Sequence, residues 1–463
     1  MVKKYPLEPG SDDLRRMIDD AARRVVAHIE SLPRQPTRNV DDATDFARSV
    51  IEPLPKRGEP FDKLLDFLFE EAIPRSFNTP HPGYLAYIPG GGIVHSAIAD
   101  FIATAVNRYV GVFAAAPVLA QLEANVTRWF CEIVGYGKGS GGLLTPGGSV
   151  SNLIALITAR KTQLGDDFAR GTLYAGNQIH HSFQKAASLA GFPLANVREI
   201  DSDEMFRVRV DAMEEAIARD RAQGFKPFLI AGSAGTVGTG AVDDLAALAD
   251  LADRENMWFH VDGAYGAFFV LTDRGRAAMR GIDRADSVVL DPHKTLFHPY
   301  GTGALVVRRL EDLRATHSMH ASYLPQFQQE EELIDFAEIS PELSRDFRGL
   351  RVWLPLKMFG IEPFRELLDE KLDLARWATA ELRNVDGIEI VAEPQLSIVA
   401  FRHTRIDNRR LLDAINRRRR VMMTGTTIGT EFVIRICVVS HRTHMDRMRM
   451  AIDDIRAAVA ELA

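Results

Sequence analysis

Short apolar runs alternate with amphipathic segments along the middle of the chain, between about residues 81 and 310. Apolar runs bounded by turn residues predict strands at 173–175, 197–200, 228–231, 258–262, 287–290 and 304–307. Apolar residues at helical spacing predict helices at 152–163, 183–189, 210–223 and 244–255. This alternation predicts an α/β fold in which helices cover a mostly parallel sheet.

The two ends of the chain show different patterns. Residues 12–32 and 62–73 predict amphipathic helices joined by a proline-rich arm at 33–60. Near the C-terminus, a long helix at 350–382 precedes strands at 398–402 and 432–439 and a terminal helix from Met445. We therefore expect an N-terminal helical arm (1–80), a large α/β domain (81–345) and a smaller α+β domain (346–463).

The composition is that of a soluble globular protein, with 56 Lys and Arg against 63 Asp and Glu and a formal net charge of −7. This balance gives no electrostatic reason to expect a nucleic-acid partner. Apolar stretches are too short to span a bilayer, and no signal-peptide pattern is visible. Cys131 and Cys437 lie in apolar stretches, which favours buried free thiols. We expect a cytoplasmic protein without a membrane partner.

Three stretches carry candidate chemistry. In "LLTPGGSVSNLIAL" (143–156), Gly148 and Ser149 precede a predicted helix and could bind an anion, although an ordinary helix cap fits the stretch alone. Asp262 ends the predicted strand in "WFHVDGAYGAFF", where a metal ligand or a simple turn is the alternative. Lys294 follows another strand in "SVVLDPHKTLFHPYGTGALVVR", where the alternative is a surface lysine.

Together the three stretches predict a site for pyridoxal 5'-phosphate (PLP). The glycine turn would bind the phosphate, the aspartate would keep the pyridine nitrogen protonated, and the lysine amine would hold the aldehyde as an imine. The combination is more specific than any single stretch.

Several motifs then resemble a known family. The segments "HPGYLAYIPGG" (81–91), "LTPGGSVSNL" (144–153), "YAGNQIHHSFQKAASLAG" (174–191), "GTVGTGAVDDL" (235–245), "HVDGAYG" (260–266) and "DPHK" (291–294) look like the group II PLP-dependent amino-acid decarboxylases. The likeness runs in order from about residue 75 to the C-terminus. It implies the fold-type I architecture with a seven-stranded-type central sheet, and a homodimer with its active site at the interface.

The resemblance also implies roles for individual residues. Lys294 would form the imine with PLP, and Asp262 would pair with the pyridine nitrogen. His180 would stack on the ring, with His181 as the competing choice. The other implied cofactor contacts are Gly148, Ser149, Thr236, Ala264 and His293.

On the substrate side, the resemblance implies roles for Tyr87, Ile88 and Arg435, the last near the substrate carboxylate, although a structural arginine is equally consistent. Gly111 stands where relatives carry a bulky aromatic residue, which suggests a roomier pocket. We expect decarboxylation of an aromatic or other bulky L-amino acid. Another lyase of the same fold, acting on a sphingoid phosphate or a cysteine derivative, is a further alternative.

One position departs from the family pattern. Counting back from "RDFRGLR", Phe336 falls where the decarboxylases carry a catalytic loop tyrosine, and phenylalanine there is associated with O2-dependent aldehyde synthesis. A phenyl ring has no proton to donate to the carbanion. Tyr323 lies in the same segment and could serve instead. Both outcomes, amine and aldehyde, therefore remain open from the sequence.

Overall fold

A computed structural model describes residues 7–319, 327–328, 330 and 332–463. The strands are β1 (Gly141–Thr145), β2 (Gly171–Gly176), β3 (Val197–Ile200), β4 (Lys226–Ser233), β5 (Trp258–Asp262), β6 (Ser287–Leu290), β7 (Gly303–Val307), β8 (Ile388–Ala392), β9 (Ile398–His403), β10 (Thr424–Ile428) and β11 (Glu431–Cys437). All strands predicted from the sequence are confirmed.

The helices begin with α1 (Ser11–Ser31), α2 (Ala43–Ser49), α3 (Phe61–Asp66), α4 (Val94–Val106), α5 (Pro117–Val134), α6 (Gly148–Leu164), α7 (Ser182–Leu189) and α8 (Val210–Ala222). They continue with α9 (Leu245–Glu255), α10 (Asp273–Ala278), α11 (Pro292–Thr295), α12 (Leu310–His317), α13 (Gly349–Phe359), α14 (Glu362–Leu382), α15 (Asn408–Asn416) and α16 (Met445–Leu462). A π-helical turn, Phe67–Ala72, extends α3. None of these helices in the described ranges is long and apolar enough to cross a membrane.

A seven-stranded sheet with the order β1-β7-β6-β5-β4-β2-β3 forms the centre of the molecule. Strands β2 to β6 pair in parallel, whereas β7 is antiparallel to both β1 and β6. The predicted mostly parallel sheet is therefore confirmed. Because parallel strands end at the same edge, the residues that follow β2, β4, β5 and β6 meet there.

A second, four-stranded antiparallel sheet has the order β10-β11-β9-β8. Helices α14, α15 and α16 pack on it, and their apolar side chains form a separate core that includes Leu374, Leu411 and Ile452. This is the predicted smaller α+β part of the chain. Cys131 on α5 and Cys437 on β11 are both buried free thiols, as expected from the sequence.

Two sequence predictions are wrong in detail. The single helix expected at 350–382 is two helices, because Gly360 adopts a positive φ of 70° that ends α13. The proline-rich arm at 33–60 contains the short helix α2. Strand β1 was not predicted, since the glycines at its start look like a loop. In the sheet, Gly142 lies so close to β7 that a Cβ would come within 2.2 Å of the Leu305 carbonyl oxygen.

Candidate active site

Three parallel strands bring polar side chains to one edge of the large sheet. Ser233 at the end of β4 pairs with Asp262 at the end of β5, and Asp262 pairs with Val289 in β6. Asp291 directly follows β6 and is 1% exposed. The short helix α11 then places Lys294 at the same edge. Open α/β sheets bind ligands at this edge, which makes it the natural place for a site.

The N-terminus of α6 lies at this edge as well. The helix starts at Gly148, and a Cβ there would come within 3.0 Å of both the Ala264 Cβ and the Asp291 Oδ2 atoms. Only glycine therefore leaves the space in front of the helix free. The first turn of a helix carries unpaired N–H groups and the positive end of the helix dipole, so this space favours an anion.

A cavity of about 300 Å³ occupies the space between these elements. All eight residues expected to bind the cofactor line this cavity, namely Gly148, Ser149, His180, Thr236, Asp262, Ala264, His293 and Lys294. The other residues that line it are Pro146, Gly147, Val150, Asn152, Ser182, Ser233, Gly235, Val237, Tyr265 and Asp291.

Lys294 forms an ion pair inside the cavity. Its Nζ atom lies 2.9 Å from the Oδ2 atom of Asp291. The neighbouring His293 donates its Nδ1 proton to the Thr302 carbonyl oxygen at 2.7 Å, and burial lowers the pKa of this histidine. The His293 ring is therefore neutral near pH 7, and Asp291 is the carboxylate that holds the lysine amine in place.

Asp262 is held by two hydrogen bonds. Its Oδ2 atom accepts from the Asn152 side-chain amide at 3.0 Å, and its Oδ1 atom accepts from the Ala264 backbone N–H at 3.2 Å. The residue is 8% exposed. A carboxylate fixed in this way can face a cationic group, such as a protonated ring nitrogen, without rotating.

His180 lies on the cavity wall and is oriented by Ser182. The His180 Nδ1 atom is 2.7 Å from the Ser182 Oγ atom and accepts from the Ser182 backbone N–H at 3.2 Å. Burial lowers the pKa of His180, so its ring is neutral near pH 7. His181, the competing choice, is exposed and does not line the cavity, although its ring centroid is 4.2 Å from that of His180.

The four residues expected on the substrate side do not line this cavity. Arg435 is buried behind its wall, where it donates to the Val237 carbonyl oxygen and to the Thr424 hydroxyl. Ile88 is buried in the main core, and Tyr87 is half exposed. At Gly111, a Cβ would come within 2.5 Å of the Tyr109 hydroxyl, so a side chain there would require Tyr109 to move. These residues lie outside the cofactor cavity of the chain.

Phe336, expected at the position of the catalytic loop residue, does not line the cavity either. The side chain is fully buried in an apolar cluster with Leu143, Ile154 and Leu305, and the Arg345 guanidinium lies 4.6 Å from the ring centroid. The turn Phe336–Glu338 is fixed because Ala337 donates its N–H to the Gly111 carbonyl oxygen. Tyr323, the alternative, lies outside the described residues.

Among the polar residues of the cavity that sequence reasoning missed are Asn152, Ser182 and Asp291. Each lies inside a motif that was noticed, but a neighbouring residue received the role. The signal for Asn152 is its spacing, because a residue four positions after Gly148 lies one helical turn further along the same face. Asp291 ends a buried strand just as Asp262 does, and this parallel could have identified it.

The residues present fit PLP. The helix N-terminus with its bare glycine suits a phosphate, Asp262 suits a pyridine nitrogen, and Lys294 supplies the amine that an aldehyde requires. A buried oxygen, Oδ1 of Asp291, has no hydrogen-bond partner among the described residues. These features define a PLP-dependent enzyme of fold type I.

The comparisons with known proteins place the chain within that class. The Pyridoxal-dependent decarboxylase conserved domain matches residues 47–404, and the chain belongs to this family of group II PLP-dependent amino-acid decarboxylases. It is therefore a PLP-dependent carboxy-lyase.

Individual relatives and a solved structure support this assignment. The chain is 33% identical to an aromatic-L-amino-acid decarboxylase of Bacillus atrophaeus, covering 99% of this chain and 98% of the relative. It is 32% identical to a human cysteine sulfinic acid decarboxylase, covering 70% and 68%. The crystal structure of Catharanthus roseus tryptophan decarboxylase in complex with L-tryptophan superposes with a TM-score of 0.92 at 25% identity, covering 99% and 100%.

Proposed function

We propose that this enzyme decarboxylates an aromatic or other bulky L-amino acid to the corresponding amine and CO2, with PLP bound to Lys294. The observation that carries the proposal is the single cavity that joins Lys294, Asp262 and the glycine-lined N-terminus of α6. The combination supplies an amine, a fixed carboxylate and an anion-binding helix N-terminus within one cavity.

Each group of the chain has a specific task in this proposal. Gly148 and Ser149 bind the phosphate at the start of α6, and Asp262 pairs with the pyridine nitrogen. His180 and Ala264 contact the ring, while Thr236 and His293 border it. When bound, PLP supplies an electron sink for the charge left on Cα as CO2 departs.

The pairing of Lys294 with Asp291 explains how the amine is oriented before the cofactor binds. An ammonium group is not nucleophilic, so the lysine must lose a proton to form the imine. Asp291 is the carboxylate in contact with that amine at 2.9 Å. We infer that Asp291 holds Nζ in place and is the nearest acceptor for its proton.

The preference for a bulky side chain rests on two observations. The relative that covers nearly the whole chain, at 33% identity, is named for aromatic amino acids. Gly111 presents backbone alone, and the Tyr109 side chain occupies the space that a Cβ there would take. Relatives named for acidic substrates match at similar identity, so a direct assay of substrates is the test.

We also propose that the active enzyme is a homodimer in which residues 1–80 clamp the second subunit, while residues 81–345 bind the cofactor and 346–463 form the small domain. Helix α1 buries none of its residues, although Leu14, Ile18 and Val25 are apolar. The expected substrate residues Tyr87, Gly111 and Arg435 lie outside the cavity of their own subunit. A second copy would give the exposed apolar surfaces a partner and complete the substrate side.

The decisive experiment is reduction with borohydride followed by peptide mapping. We expect a pyridoxyl group on Lys294 in the wild type and none in Lys294→Ala, which should also lose activity by about a thousandfold or more. The wild type should then release CO2 and amine from a panel of aromatic L-amino acids. A protein that carries no such group after incubation with PLP would contradict the proposal.

Aldehyde synthesis is the second candidate, and the absence of a hydroxyl at Phe336 favours it. The product balance separates the two reactions, since CO2 without ammonia indicates the decarboxylase, whereas ammonia and peroxide in step with CO2 indicate the synthase. Phe336→Tyr should suppress peroxide if residue 336 reaches an active site in the dimer. An unchanged product ratio would show that Phe336 serves only the core in which it is buried.

A further inference from the structure

Asn152 makes three hydrogen bonds that link separate parts of the site. The side chain is 1% exposed. Its amide nitrogen lies 3.0 Å from Asp262 Oδ2 and 3.0 Å from Ser182 Oγ, and its amide oxygen lies 3.0 Å from His260 Nε2. An amide has two N–H donors and one accepting oxygen. Because a carboxylate can only accept, the nitrogen must point at Asp262 and the oxygen at His260.

The direction of the hydrogen bonds behind Asn152 follows from this. His260 must donate its Nε2 proton to the Asn152 oxygen, and burial lowers the pKa of His260 to about 4, so the ring is neutral. Its Nδ1 atom therefore accepts from the Ser287 hydroxyl at 2.8 Å. The Ser287 oxygen in turn accepts from the Trp258 indole N–H at 2.8 Å. Each group in the chain from Trp258 to Asp262 therefore donates its proton to the next one, in the direction of the carboxylate.

A second branch leads from Asn152 to His180. Ser182 Oγ accepts from the Asn152 amide, so its own proton is free to be donated to His180 Nδ1 at 2.7 Å. The Ser182 backbone N–H also donates to that atom. His180 Nδ1 is thus an acceptor twice, which leaves the proton of the neutral ring on Nε2.

We propose that Asn152 and His260 are positioning residues that fix Asp262 as a pure acceptor toward the pyridine nitrogen and His180 as the Nε2–H form. This inference rests on the proposed function, since it concerns how the chain holds the same cofactor. We call Trp258, Ser287, His260, Asn152 and Ser182 together the Asn152 network. Its members lie in the sheet and in helices α6 and α7, so it ties the cofactor contacts to rigid elements.

The network stabilises the charge of Asp262 more than one hydrogen bond would. Bonds in a chain with one direction polarise each other, and a buried environment strengthens each of them. Loss of the donor to Asn152 removes the bond that fixes its amide oxygen, so the amide nitrogen is held less firmly against the carboxylate. The effect should appear in the electronic state of the cofactor rather than in substrate binding.

The test compares His260→Leu, which has no donor, with His260→Gln, which retains an N–H group. In His260→Leu we expect a shifted absorption band of the bound cofactor, faster loss of PLP on dialysis, and kcat lowered about tenfold with little change in KM. His260→Gln should restore most of the band position and of kcat. Ser287→Ala should shift the same band in the same direction by a smaller amount.

Tyr136→Phe is the matched control. It removes another buried hydrogen bond, from the Tyr136 hydroxyl to the Ala285 carbonyl oxygen at 2.8 Å, away from the cavity. This variant should lower the melting temperature without moving the band. If His260→Leu lowers only the melting temperature, or if His260→Gln gives no rescue, the positioning role is refuted.

The reduction with borohydride separates this inference from the proposed function. A wild-type protein without a pyridoxyl group on Lys294 would refute the function itself. A labelled wild type with an unchanged absorption band in both His260→Leu and Ser287→Ala would refute the Asn152 network alone.

Discussion

Gly148 shows how much a single missing methyl group matters at this site. Gly148 is the first residue of helix α6 and lies beside Ala264 and Asp291. A Cβ at this position would lie 3.0 Å from an atom of each. Contacts that short require the neighbours to move, and both neighbours belong to the proposed cofactor site. The absence of a side chain therefore creates the space for an anion as well as the turn.

We predict that Gly148→Ala weakens PLP binding by about tenfold or more, because the added methyl group fills the proposed phosphate position. Fluorescence titration of the apoprotein with PLP measures the change. Gly137→Ala is the control, because a Cβ at Gly137 meets nothing within 4 Å. Equal affinities in the two variants would contradict the assignment of the phosphate site.

The sequence allowed the principal chemical groups to be predicted, but not the residues that orient them. Lys294 and Asp262 could be found because each follows a short apolar strand, and strand ends meet at a sheet edge. Asn152 could not be assigned in this way. Its role depends on α6 lying beside β5, which places His260 and Asp262 within reach of one amide. That adjacency is a property of the packing, whereas the spacing from Gly148 indicates only the helix face on which Asn152 lies.

At the scale of elements, the turn Phe336–Glu338 connects a loop to the core. Phe336 is fully buried between α6 and the large sheet, and Asp335 accepts from the Phe113 backbone N–H at 2.6 Å. Arg345, which stacks on Phe336, is itself paired with the buried Glu123. These contacts fix the C-terminal end of the segment that begins after α12.

We predict that Phe336→Ala destabilises the protein by about 3–5 kcal/mol, since it leaves a cavity the size of a phenyl ring in a closed core. Urea unfolding monitored by circular dichroism measures the loss. Leu343→Ala is the control, because Leu343 is 38% exposed and should cost less than about 1 kcal/mol. A loss below 1 kcal/mol for Phe336→Ala would mean that the side chain leaves this core in solution.

Elements were predicted well where one physical signal dominated. Strands β5 and β6 have the expected bounds because buried parallel strands are continuous apolar runs. The prediction of one helix at 350–382 was wrong because the apolar periodicity continues past Gly360, whereas the helix ends there at a positive φ. Strand β1 was not predicted because its glycines are explained only by close contact with β7, a strand distant in sequence.

At the scale of the molecule, helices α4 and α13 pack together and both carry exposed apolar side chains. Ile98 and Phe101 on α4 and Met358 on α13 are each at least half exposed. Exposed apolar side chains that gather on one face often mark a protein–protein contact. The surface suits the second subunit of the proposed homodimer.

We predict that Phe101→Glu converts a dimer into monomers and lowers activity by at least about tenfold, because it places a charge in an apolar interface. Sedimentation velocity at several protein concentrations measures the mass. Leu189→Glu serves as the control, since Leu189 is 64% exposed on α7, outside this face. A wild type that sediments as a monomer at every concentration would contradict the dimer.

Several histidines, some buried and some half-buried, make the whole molecule sensitive to acid. Burial lowers the pKa of His81, His260 and His317 to about 4 and that of His298 and His441 to about 3. In the unfolded chain these groups bind protons below about pH 6.5. Below pH 6.5 the unfolded chain therefore takes up protons at these histidines while the folded protein does not. As a result, the free energy of unfolding is highest above pH 6.5 and falls as the pH drops from 6.5 toward 4.

We predict that the free energy of unfolding falls between pH 7 and pH 5, with about 1–2 kcal/mol from a fully buried histidine such as His260. Urea titrations at the two pH values measure the difference. The pH-dependent loss should be smaller in His260→Gln, which has no group to protonate. An equal loss in both proteins would show that His260 is protonated in the native state.

The two buried cysteines can be used to measure local unfolding of the protein. Burial raises the pKa of the Cys131 thiol to about 12 and also raises that of Cys437. Alkylating reagents attack the thiolate, so neither sulfur reacts until its surroundings come apart. Cys131 lies on α5 and Cys437 on the small sheet. The relative rates at which iodoacetamide labels the two positions would therefore reveal whether the large and small parts of the chain unfold in concert or one ahead of the other.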